Sequence, residues 1–352
     1  MAAGSGRVVL VTGVCRDLGG RFARRIADDP AVERVIGVDV VPPRHDLGDV
    51  RFVRADIRNP VIAKVIAAEE VDTVVHLSVI ATPSGAGGRT SMKEINVIGT
   101  MQLLAACQKA PSVRKLVVMS STAVYGSSPK DPAMFSEDMA PRRMPRSGFG
   151  KDSVEVEGYV RGFARRRPDV TVTTLRFANF VGPKVRTPLT QYFSLPVVPT
   201  VLGFDPRMQF VHERDGLEVL WRATLGDHGG TFNIAGDGVM LLSQAIRRAG
   251  KPSVPLPQPA APWIGGALKR LGVADFSPEQ MRFLAYGRVV DTSRMRDVLG
   301  FEPRYSTREA FDDFVARQGL HGPLSADTVE AVERTVLDVV GKSPGAREVT
   351  RA

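Results

Sequence analysis

The opening of the chain constrains its fold most strongly, because an uninterrupted apolar segment, Val8–Thr12, leads directly into a glycine-containing loop. A continuous apolar run of this length is typical of a strand that is buried on both faces, as in a parallel sheet. Gly13 and Gly19 flank the loop, and the residues after Gly19 have the spacing of an amphipathic helix. A strand, a tight loop and a helix in this order predict the first unit of a dinucleotide-binding α/β fold.

The first half of the chain alternates predicted strands with predicted helices. Regular alternation of this kind indicates a parallel sheet with right-handed crossovers and with helices on both faces. The predicted fold class is therefore α/β, a Rossmann-type doubly wound parallel sheet in which ligands bind beyond the carboxyl ends of the strands. Further strands are expected at Val35–Asp39, Phe52–Arg54, Thr73–Leu77, Lys115–Ser120 and Val170–Arg176, and the helices include Gly19–Asp28, Ser91–Ala110 and Gly150–Arg167.

With 352 residues the chain is longer than one hydrophobic core usually supports, and its second half is less regular than its first. We therefore predict a Rossmann domain over 1–182, a smaller C-terminal substrate lobe over 183–319 and a tail over 320–352. Two segments of the lobe, at about 205–235 and 287–292, are expected to rejoin the main sheet. Short helices are expected at Trp263–Leu271 and Thr328–Val340, and extended connections at the proline-rich segments Leu195–Pro199 and Pro252–Pro262.

Composition argues against several classes of protein. Two cysteines, Cys15 and Cys107, provide neither a disulfide framework nor a metal-ligand spacing, so no metal is expected. No apolar run approaches the roughly 20 residues that span a bilayer, and no signal peptide precedes the first strand. The net charge of +9 comes largely from scattered arginines, without a nucleic-acid-binding motif. We predict a cytoplasmic protein that has no transmembrane segment and binds no nucleic acid.

The loop after the first strand is the predicted phosphate-binding loop of a dinucleotide site. Spaced glycines let the backbone of such a loop turn tightly and approach a pyrophosphate at the helix N-terminus. Here the expected Gly-x-x-Gly-x-x-Gly reads Gly13-x-x-Arg16-x-x-Gly19, with an arginine in the middle position. The Arg16 side chain would either crowd the pyrophosphate or turn outward and pair with a phosphate, and the sequence leaves both alternatives open.

Two acids at strand ends indicate NAD as the cofactor. Asp39 closes the second strand, where a carboxylate accepts hydrogen bonds from the ribose hydroxyls and repels a 2′-phosphate. Asp56 follows the third strand and suits an adenine amino group, although both acids would also fit as ordinary strand-end residues. NADP is not excluded, because Arg16 and Arg44 lie near enough to meet a phosphate.

Further short motifs follow along the chain in a characteristic order. They are Thr12-Gly13, Asp56-Ile57-Arg58, Val75-His76-Leu77-Ser78, Asn96-Val97-Ile98-Gly99-Thr100, Ser120 to Gly126, Leu175 to Pro183, and Phe210 to Asp215. With this set, from about Arg7 to Phe314, the chain resembles the extended short-chain dehydrogenase/reductases, the NAD-dependent epimerase/dehydratase family. It is similar in particular to bacterial proteins labelled UDP-glucose 4-epimerase.

The resemblance implies a nucleotide sugar as the second ligand and a set of cofactor-binding positions. Asn179 would contact the substrate phosphate, although it could equally cap the turn before Gly182-Pro183. An arginine that the family often places two residues before Phe210 is Met208 here. The cofactor-binding positions implied by the resemblance are Gly13, Arg16, Leu18, Gly19, Asp39, Asp56, Ile57, Leu77, Ser78, Asn96 and Ser120.

The catalytic positions depart from the family pattern. In the family a serine binds the reacting oxygen, a tyrosine moves the hydroxyl proton, and a lysine four residues later lowers the pKa of that tyrosine. Ser121 matches the serine, but Phe149 stands at the tyrosine position and Ser153 at the lysine position. None of the five tyrosines is followed by a lysine four residues later. A phenylalanine has no proton to transfer, so the usual mechanism is not expected here.

Two hypotheses about function follow. The first is an NAD(P)-binding protein that is catalytically atypical or inactive and acts as a sensor, a scaffold or a partner of another enzyme. The second is an active NAD-dependent nucleotide-sugar epimerase or oxidoreductase that uses another acid or base, such as Ser121 with a water, Tyr125 or Lys151. The resemblance further implies a homodimer through helices Ser91–Ala110 and Gly150–Arg167.

Overall fold

The computed structural model of the chain describes residues 6–81, 87–257 and 278–320. Its strands are β1 (Arg7–Thr12), β2 (Val32–Asp39), β3 (Arg51–Arg54), β4 (Thr73–His76), β5 (Lys115–Ser121), β6 (Thr171–Phe177), β7 (Asn179–Val181), β8 (Val198–Val201), β9 (Arg207–Met208), β10 (Phe210–His212), β11 (Gly230–Ile234), β12 (Met240–Leu241) and β13 (Ser253–Leu256). A parallel seven-stranded sheet has the order β3-β2-β1-β4-β5-β6-β11. The strand order reverses between β1 and β4, where a doubly wound sheet leaves a crevice for a ligand. The predicted α/β fold class is confirmed.

Helices cover both faces of this sheet. They are α1 (Asp17–Ala27), α2 (Val61–Ala68), α3 (Arg89–Lys93), α4 (Thr100–Lys109), α5 (Gly148–Arg166), α6 (Pro188–Phe193), α7 (Glu213–Leu225), α8 (Leu242–Arg248), α9 (Pro278–Tyr286), α10 (Ser293–Asp297) and α11 (Thr307–Gln318). On one face α1 and α7 pack through a core that contains Phe22 and Leu217. On the other face α2, α4 and α5 pack through Ile66, Leu103 and Phe163. The central strands β1 and β4 are buried on both sides, as their apolar sequences predict, whereas the edge strand β3 is partly exposed.

The predicted helix Ser91–Ala110 contains one wider turn. A π-helical segment, Glu94–Gly99, joins α3 to α4 without a break. Gly99 permits close packing at this point, because a Cβ there would lie 2.8 Å from Cδ1 of Ile57. Single π-helical turns often lie at functional sites. Here the segment carries Asn96, one of the predicted cofactor-binding residues.

The second half of the chain adds a smaller lobe with its own core. In this half β7 and β10 pair in parallel, β8 and β13 pair in parallel, and β9 and β12 pair antiparallel. Aromatic rings fill the core, and the ring centroids of Phe193 and Phe311 lie 4.9 Å apart. The helix α11 begins with a capping box between Ser306 and Glu309.

Some segments of the second half pair differently from the prediction. Of the segments expected to rejoin the main sheet, β11 does so, whereas β9 and β10 pair outside it. Residues 287–292 form only a single bridge, between Phe135 and Val290. Gly287 allows the chain to turn sharply and to pack directly on β9, because its φ is +67° and a Cβ there would lie 2.2 Å from the carbonyl oxygen of Arg207.

The two proline-rich segments are partly strands rather than plain connections, since β8 and β13 form a separate two-stranded sheet. Each strand of such a pair has a free edge, which is where proline is tolerated in a sheet. The helices predicted at Trp263–Leu271 and Thr328–Val340 lie outside the described residues, as does the predicted tail beyond Leu320. The domain boundaries at 182 and 319 remain predictions.

Candidate functional site

The loop between β1 and α1 has the backbone geometry of a phosphate-binding turn. Gly13 has a φ of +84°, and a Cβ there would lie 2.9 Å from the carbonyl carbon of Leu77. A Cβ on Gly19 would lie 2.2 Å from the carbonyl oxygen of Gly13, so both positions need glycine. The 11-residue helix α1 follows directly, and the free N–H groups of its first turn suit an anion.

Arg16 fits this loop without distorting it. Its φ of −89° and ψ of 150° are extended values that any residue adopts. The side chain is half-buried and has no hydrogen bond or ion pair with the described part of the chain. Of the two alternatives for Arg16, a guanidinium that is free to pair with a phosphate agrees better with this backbone. The nearby Leu18 packs, partly buried, against the core beneath α1.

Asp39 is fixed to the phosphate-binding loop. Its Oδ2 accepts a hydrogen bond from the backbone N–H of Cys15 at 3.0 Å, and its Oδ1 accepts one from Val40 at 2.8 Å. Each carboxylate oxygen retains a lone pair for a ribose hydroxyl. Burial, assisted by the Asp39 carboxylate, raises the pKa of the Cys15 thiol to about 12, so this cysteine is not a reactive thiol at neutral pH.

Asp56 and Ile57 lie directly after β3, as predicted. Arg58 engages both carboxylate oxygens of Asp56, with its Nη2 at 2.6 Å from Oδ2. This pairing lowers the pKa of Asp56 and holds the carboxylate at the end of the strand. Ile57 is buried against Gly99 of the π-helical segment. The structure therefore shows a rigid acid at this strand end, with its side chain already paired.

A chain of buried hydrogen bonds connects β1, β4 and α4. The backbone N–H groups of Leu77 and Ser78 donate to Thr12 Oγ1 at 3.2 and 3.3 Å, and Thr12 Oγ1 lies 2.8 Å from Nδ1 of His76. On the other side His76 Nε2 lies 2.8 Å from Thr100 Oγ1. Since Thr100 Oγ1 donates to a carbonyl oxygen, His76 donates through Nε2 and accepts at Nδ1. Burial lowers the pKa of His76 to about 4, so the ring is neutral and structural.

Asn96 ties the end of the β4 loop to helix α5. Its Oδ1 accepts from the backbone N–H of Ile80 and its Nδ2 donates to the carbonyl oxygen of Ile80, both at 2.8 Å. The same Nδ2 lies 3.4 Å from Oδ2 of Asp152, a buried residue of α5. Arg89 donates two hydrogen bonds of 2.6 Å each to the carboxylate of Asp152. Asp152 thus joins three segments around the candidate site.

A small, mostly apolar cavity marks the predicted catalytic positions. It is a narrow crevice beside the carboxyl ends of β4 and β5, partly open to solvent. Ser153 is 5% exposed and donates its hydroxyl to the carbonyl oxygen of Phe149 at 3.0 Å. No lysine or tyrosine lines this cavity, whose described walls are Val79, Asn96, Met119, Ser120, Phe149, Asp152, Ser153 and Val156.

The two serines at the end of β5 have different environments. Ser120 lines the cavity and donates to Glu157 Oε1 at 2.7 Å, and Glu157 is in turn paired with Arg176 at 2.7 Å. The Ser121 Oγ accepts a hydrogen bond from the backbone N–H of Ala123 at 3.1 Å, which caps a short 3₁₀ turn. No group in the described part of the chain accepts the hydroxyl proton of Ser121, so this proton is available for a ligand.

The alternative acids and bases are engaged elsewhere. The Nζ of Lys151 lies 3.7 Å from Glu155 on the exposed side of α5, and Lys151 does not line the cavity. The Tyr125 hydroxyl donates to Asn233 at 2.8 Å and accepts from Arg176 at 2.7 Å, while burial raises its pKa. Neither residue is in a position to replace a tyrosine at 149 directly, because each is held by its own partners.

Asn179 is placed as a ligand-binding residue would be. It begins β7, is half-buried, and its amide has no hydrogen-bond partner among the residues that the structure describes. Among the described residues Asn179 therefore makes no hydrogen bond that would cap the turn before Gly182, which was its alternative role. Met208 is buried in the core of the smaller lobe, which explains why an apolar residue stands where the family often has an arginine.

No sequence pattern singles out the pair formed by Arg89 and Asp152, which are 63 residues apart in the chain. The available signal is Asp152 itself, an acid directly before the lysine position on a helix face that must be buried. A buried acid needs a cation, but the sequence does not identify which of the many arginines supplies it.

Within the described ranges, no helix is long and apolar enough to cross a membrane, and no group of three or more His, Cys, Asp or Glu side chains could hold a metal ion.

Comparison with known proteins agrees with this geometry. The sequence model of the NAD dependent epimerase/dehydratase family matches residues 9–235. An uncharacterized protein of Mycobacterium tuberculosis is 52% identical over 319 residues, which are 89% of this chain and 85% of that protein.

Two solved structures show the same fold. UDP-glucose 4-epimerase from Thermotoga maritima, in complex with UDP-glucose, has a TM-score of 0.68 and 19% identity, over 89% of this chain and 98% of that one. The second is a tyrosine-to-phenylalanine variant of UDP-glucuronic acid 4-epimerase from Bacillus cereus, in complex with a fluorinated UDP-glucuronic acid and NAD. It has a TM-score of 0.67 and 19% identity, over 88% of this chain and 98% of that one.

Proposed function

The chain belongs to the NAD-dependent epimerase/dehydratase family, and from this premise we propose that it binds NAD and a UDP-sugar without the family's tyrosine–lysine proton transfer. The cavity beside β4 and β5 carries the proposal, since Phe149 and Ser153 line it where the proton-transferring pair would stand. Such a protein would report or respond to the two ligands rather than convert one of them.

The residues around β1 and β2 fit NAD. The phosphate-binding loop offers glycine at both positions of close approach and free N–H groups at the start of α1. Asp39 would accept hydrogen bonds from the adenine-side ribose, and its negative charge disfavours the 2′-phosphate of NADP. Arg16 would pair with the pyrophosphate. When bound, NAD would supply a hydride acceptor, and the protein would supply its position.

The residues around the cavity do not fit an ordinary proton transfer. A phenyl ring has no exchangeable proton, and the Ser153 hydroxyl is donated to the backbone of its own helix. Arg89, a partly exposed cation of α3 that pairs with α5, is compensated by the Asp152 carboxylate through two short hydrogen bonds. A sugar hydroxyl in this place would therefore meet neither a strong base nor an unpaired cation.

Asn179 supports a nucleotide sugar as the second ligand. Its half-buried amide has no hydrogen-bond partner within the described chain and is open to solvent, so its donor and its acceptor are both available to a ligand. In the Bacillus cereus protein, a phenylalanine in place of a tyrosine is compatible with holding a UDP-sugar and NAD together. We infer that Phe149 likewise leaves both binding sites intact.

The test is a calorimetric titration of the full-length protein with NAD, NADH and NADPH. We expect NAD and NADH to bind more tightly than NADPH, and UDP-glucose to bind to the NAD-loaded protein. Asp39→Asn should weaken NAD by about tenfold or more, because it removes a charged hydrogen-bond acceptor. Asp49→Asn, an exposed acid nearby, is the matched control. Absence of NAD binding in the wild type would refute the proposal.

A second candidate, an active enzyme with an atypical acid or base, is favoured by one observation. The hydroxyl proton of Ser121 is not committed to a described protein group, so it could bind a reacting oxygen. Conversion of UDP-galactose to UDP-glucose by the wild type, lost in Ser121→Ala, would establish this candidate. The same conversion in both proteins would exclude Ser121 as its origin.

We further propose that the protein is a homodimer through α3–α4 and α5. Both helices expose large apolar side chains, with Ile98 at 39% and Tyr159 at 41% exposure. Light scattering of the wild type and of the Ile98→Asp/Tyr159→Asp variant tests this, and a monomeric wild type would contradict it.

A further inference from the structure

Helix α7 connects the predicted cofactor-binding helix α1 to the strand that carries Asn179. The first residue of α7, Glu213, is 4% exposed and lies between the two. Glu213 Oε1 accepts a hydrogen bond from Arg21 Nη1 of α1 at 2.8 Å, and its Oε2 accepts one from the backbone N–H of Lys184 at 3.3 Å. One buried carboxylate therefore contacts both the helix at the dinucleotide site and the loop that follows β7.

Two close glycine contacts fix β7 on the first turn of α7. A Cβ on Gly182, whose φ is +152°, would lie 2.7 Å from Cγ of Glu213. A Cβ on Gly216 would lie 2.3 Å from Cε1 of Phe180, the residue directly after Asn179. Because no further atom fits between these surfaces, a displacement of α7 has to displace β7 as well.

The opposite side of α7 is fixed to α1 by polar contacts. Arg25 of α1 is paired with Glu218 of α7, and its guanidinium carbon lies 5.6 Å from the centroid of the Trp221 ring. Trp221 Nε1 donates to Asp29, shortly after the end of α1, at 2.8 Å. Both helices also contribute side chains to the same apolar core. These contacts make α1, α7 and β7 one rigid unit, which is the kind of element that can couple two sites.

Arg21 connects the charges of the dinucleotide site to this unit. Its Nη1 also lies 3.2 Å from Oδ2 of Asp17, the first residue of α1, where the proposed pyrophosphate would bind. Among the described residues, no cation other than Arg21 lies at ion-pair distance from Glu213. Since Arg21 is shared between Asp17 and Glu213, a ligand that orders the first turn of α1 also orders the position of Glu213.

We propose that Glu213 is a positioning residue through which bound NAD orders the loop behind Asn179 and thereby strengthens the binding of the UDP-sugar. The free N–H groups at the start of a helix allow that end to fray, and a pyrophosphate that accepts from them removes this freedom. The ordering that the first ligand produces is then already present when the second ligand binds, so the two ligands bind cooperatively. This inference rests on the proposed binding of NAD and a UDP-sugar.

Two measurements on the full-length protein test the coupling. In calorimetry, saturating NAD should tighten the binding of UDP-glucose by at least about fivefold, and saturating UDP-glucose should tighten the binding of NAD by the same factor. In hydrogen–deuterium exchange with mass spectrometry, NAD alone should slow amide exchange over 179–184 and leave β13 unchanged. Glu213→Gln should bring the factor to near one and abolish this protection, because a neutral amide does not hold Arg21 by charge.

A second variant and a control separate coupling from folding. Arg21→Met/Glu213→Leu removes both charges without leaving either one buried and unpaired, and it should also lose the coupling. Arg24→Met is the matched control, because Arg24 lies on α1 but its contact with Asp46, at 3.8 Å, is exposed. It should keep the full factor. A purely structural role of Glu213 would weaken UDP-glucose equally with and without NAD, and a factor that stays unchanged in this way would overturn the inference.

The wild type alone can also decide the question. A factor of one would overturn the inference whether or not the variants fold, and it would leave the proposed function intact. Failure of UDP-glucose to bind would instead refute the proposed function, and the absence of NAD protection over 179–184 would overturn the inference even then. Failure of NAD to bind would refute both.

Discussion

The ionisation of a phenol introduced at position 149 measures directly what the candidate site lacks. In Phe149→Tyr the new hydroxyl would face Ser153 and the pair formed by Arg89 and Asp152. Both hydrogen bonds of that pair are 2.6 Å long, so the guanidinium charge is compensated and offers little stabilisation to a phenolate. With a free tyrosine pKa of about 10, only about one molecule in a thousand would be ionised at pH 7.

A cation one helical turn away changes this result. In Phe149→Tyr/Ser153→Lys the ammonium and the phenol share a face of α5, and an opposite charge at this range lowers a pKa by about 1–3 units. The phenolate fraction at pH 7 should therefore rise by about 10- to 500-fold. In Phe149→Tyr/Asp152→Ser the released Arg89 should produce a smaller change in the same direction.

Ultraviolet difference absorbance during a pH titration, with the wild type as the blank, follows the added phenol without requiring any substrate. A phenol in the single variant that titrates several units below 10 would refute the reasoning, because it would show that the site already contains an effective cation. No difference between the single and double variants would also refute it.

Three further predictions concern the framework of the site. Burial lowers the folded-state pKa of His76 from 6.5 to about 4. The neutral ring should therefore contribute stability that is complete above pH 6.5, and up to roughly 3 kcal/mol of this stability should be lost as the pH falls toward 4. Urea unfolding across this pH range should show a shallower pH dependence in His76→Asn. Gly19→Ala should weaken NAD binding in calorimetry, since the added Cβ would lie 2.2 Å from the loop backbone. Gly158→Ala should instead stabilise α5 by about 0.5–1 kcal/mol, because the added Cβ would lie near only one side chain, at 3.9 Å. Arg176→Met should cost about 3 kcal/mol in urea unfolding, because it leaves the buried Glu157 with only the exposed Arg161, at 3.6 Å, as a cationic partner. Glu157→Leu/Arg176→Met should recover most of that loss.

Much of the first half of the fold can be predicted from local sequence. The strand prediction at Val8–Thr12 differs from β1 by one residue, and that at Lys115–Ser120 differs from β5 by one residue. These strands lie in the middle of the sheet, so every residue after the first, Arg7 in β1 and Lys115 in β5, is apolar or small and the pattern is continuous. The end of each strand then fixes where Asp39 and Ser121 lie, because parallel strands present their carboxyl ends at one edge.

The remaining features depend on contacts between distant residues. The pair of Arg89 and Asp152 joins α3 to α5, and Arg288 approaches Thr122 across 166 residues of chain. Arginines are numerous here, and local spacing does not specify which acid or carbonyl oxygen each one meets. The π-helical segment at Glu94–Gly99 also cannot be predicted from the sequence, because its apolar residues have the spacing of an ordinary helix.

We propose above that the protein holds NAD and a UDP-sugar together without converting the sugar. The most direct measurement is proton NMR of UDP-galactose, UDP-glucose and UDP-glucuronate, each incubated with the NAD-loaded protein at concentrations where calorimetry shows that both ligands are bound. We expect unchanged sugar signals and no NADH absorbance over many hours. Formation of the C4 epimer, or accumulation of NADH, would contradict it and would show that a group other than the missing tyrosine and lysine moves the proton.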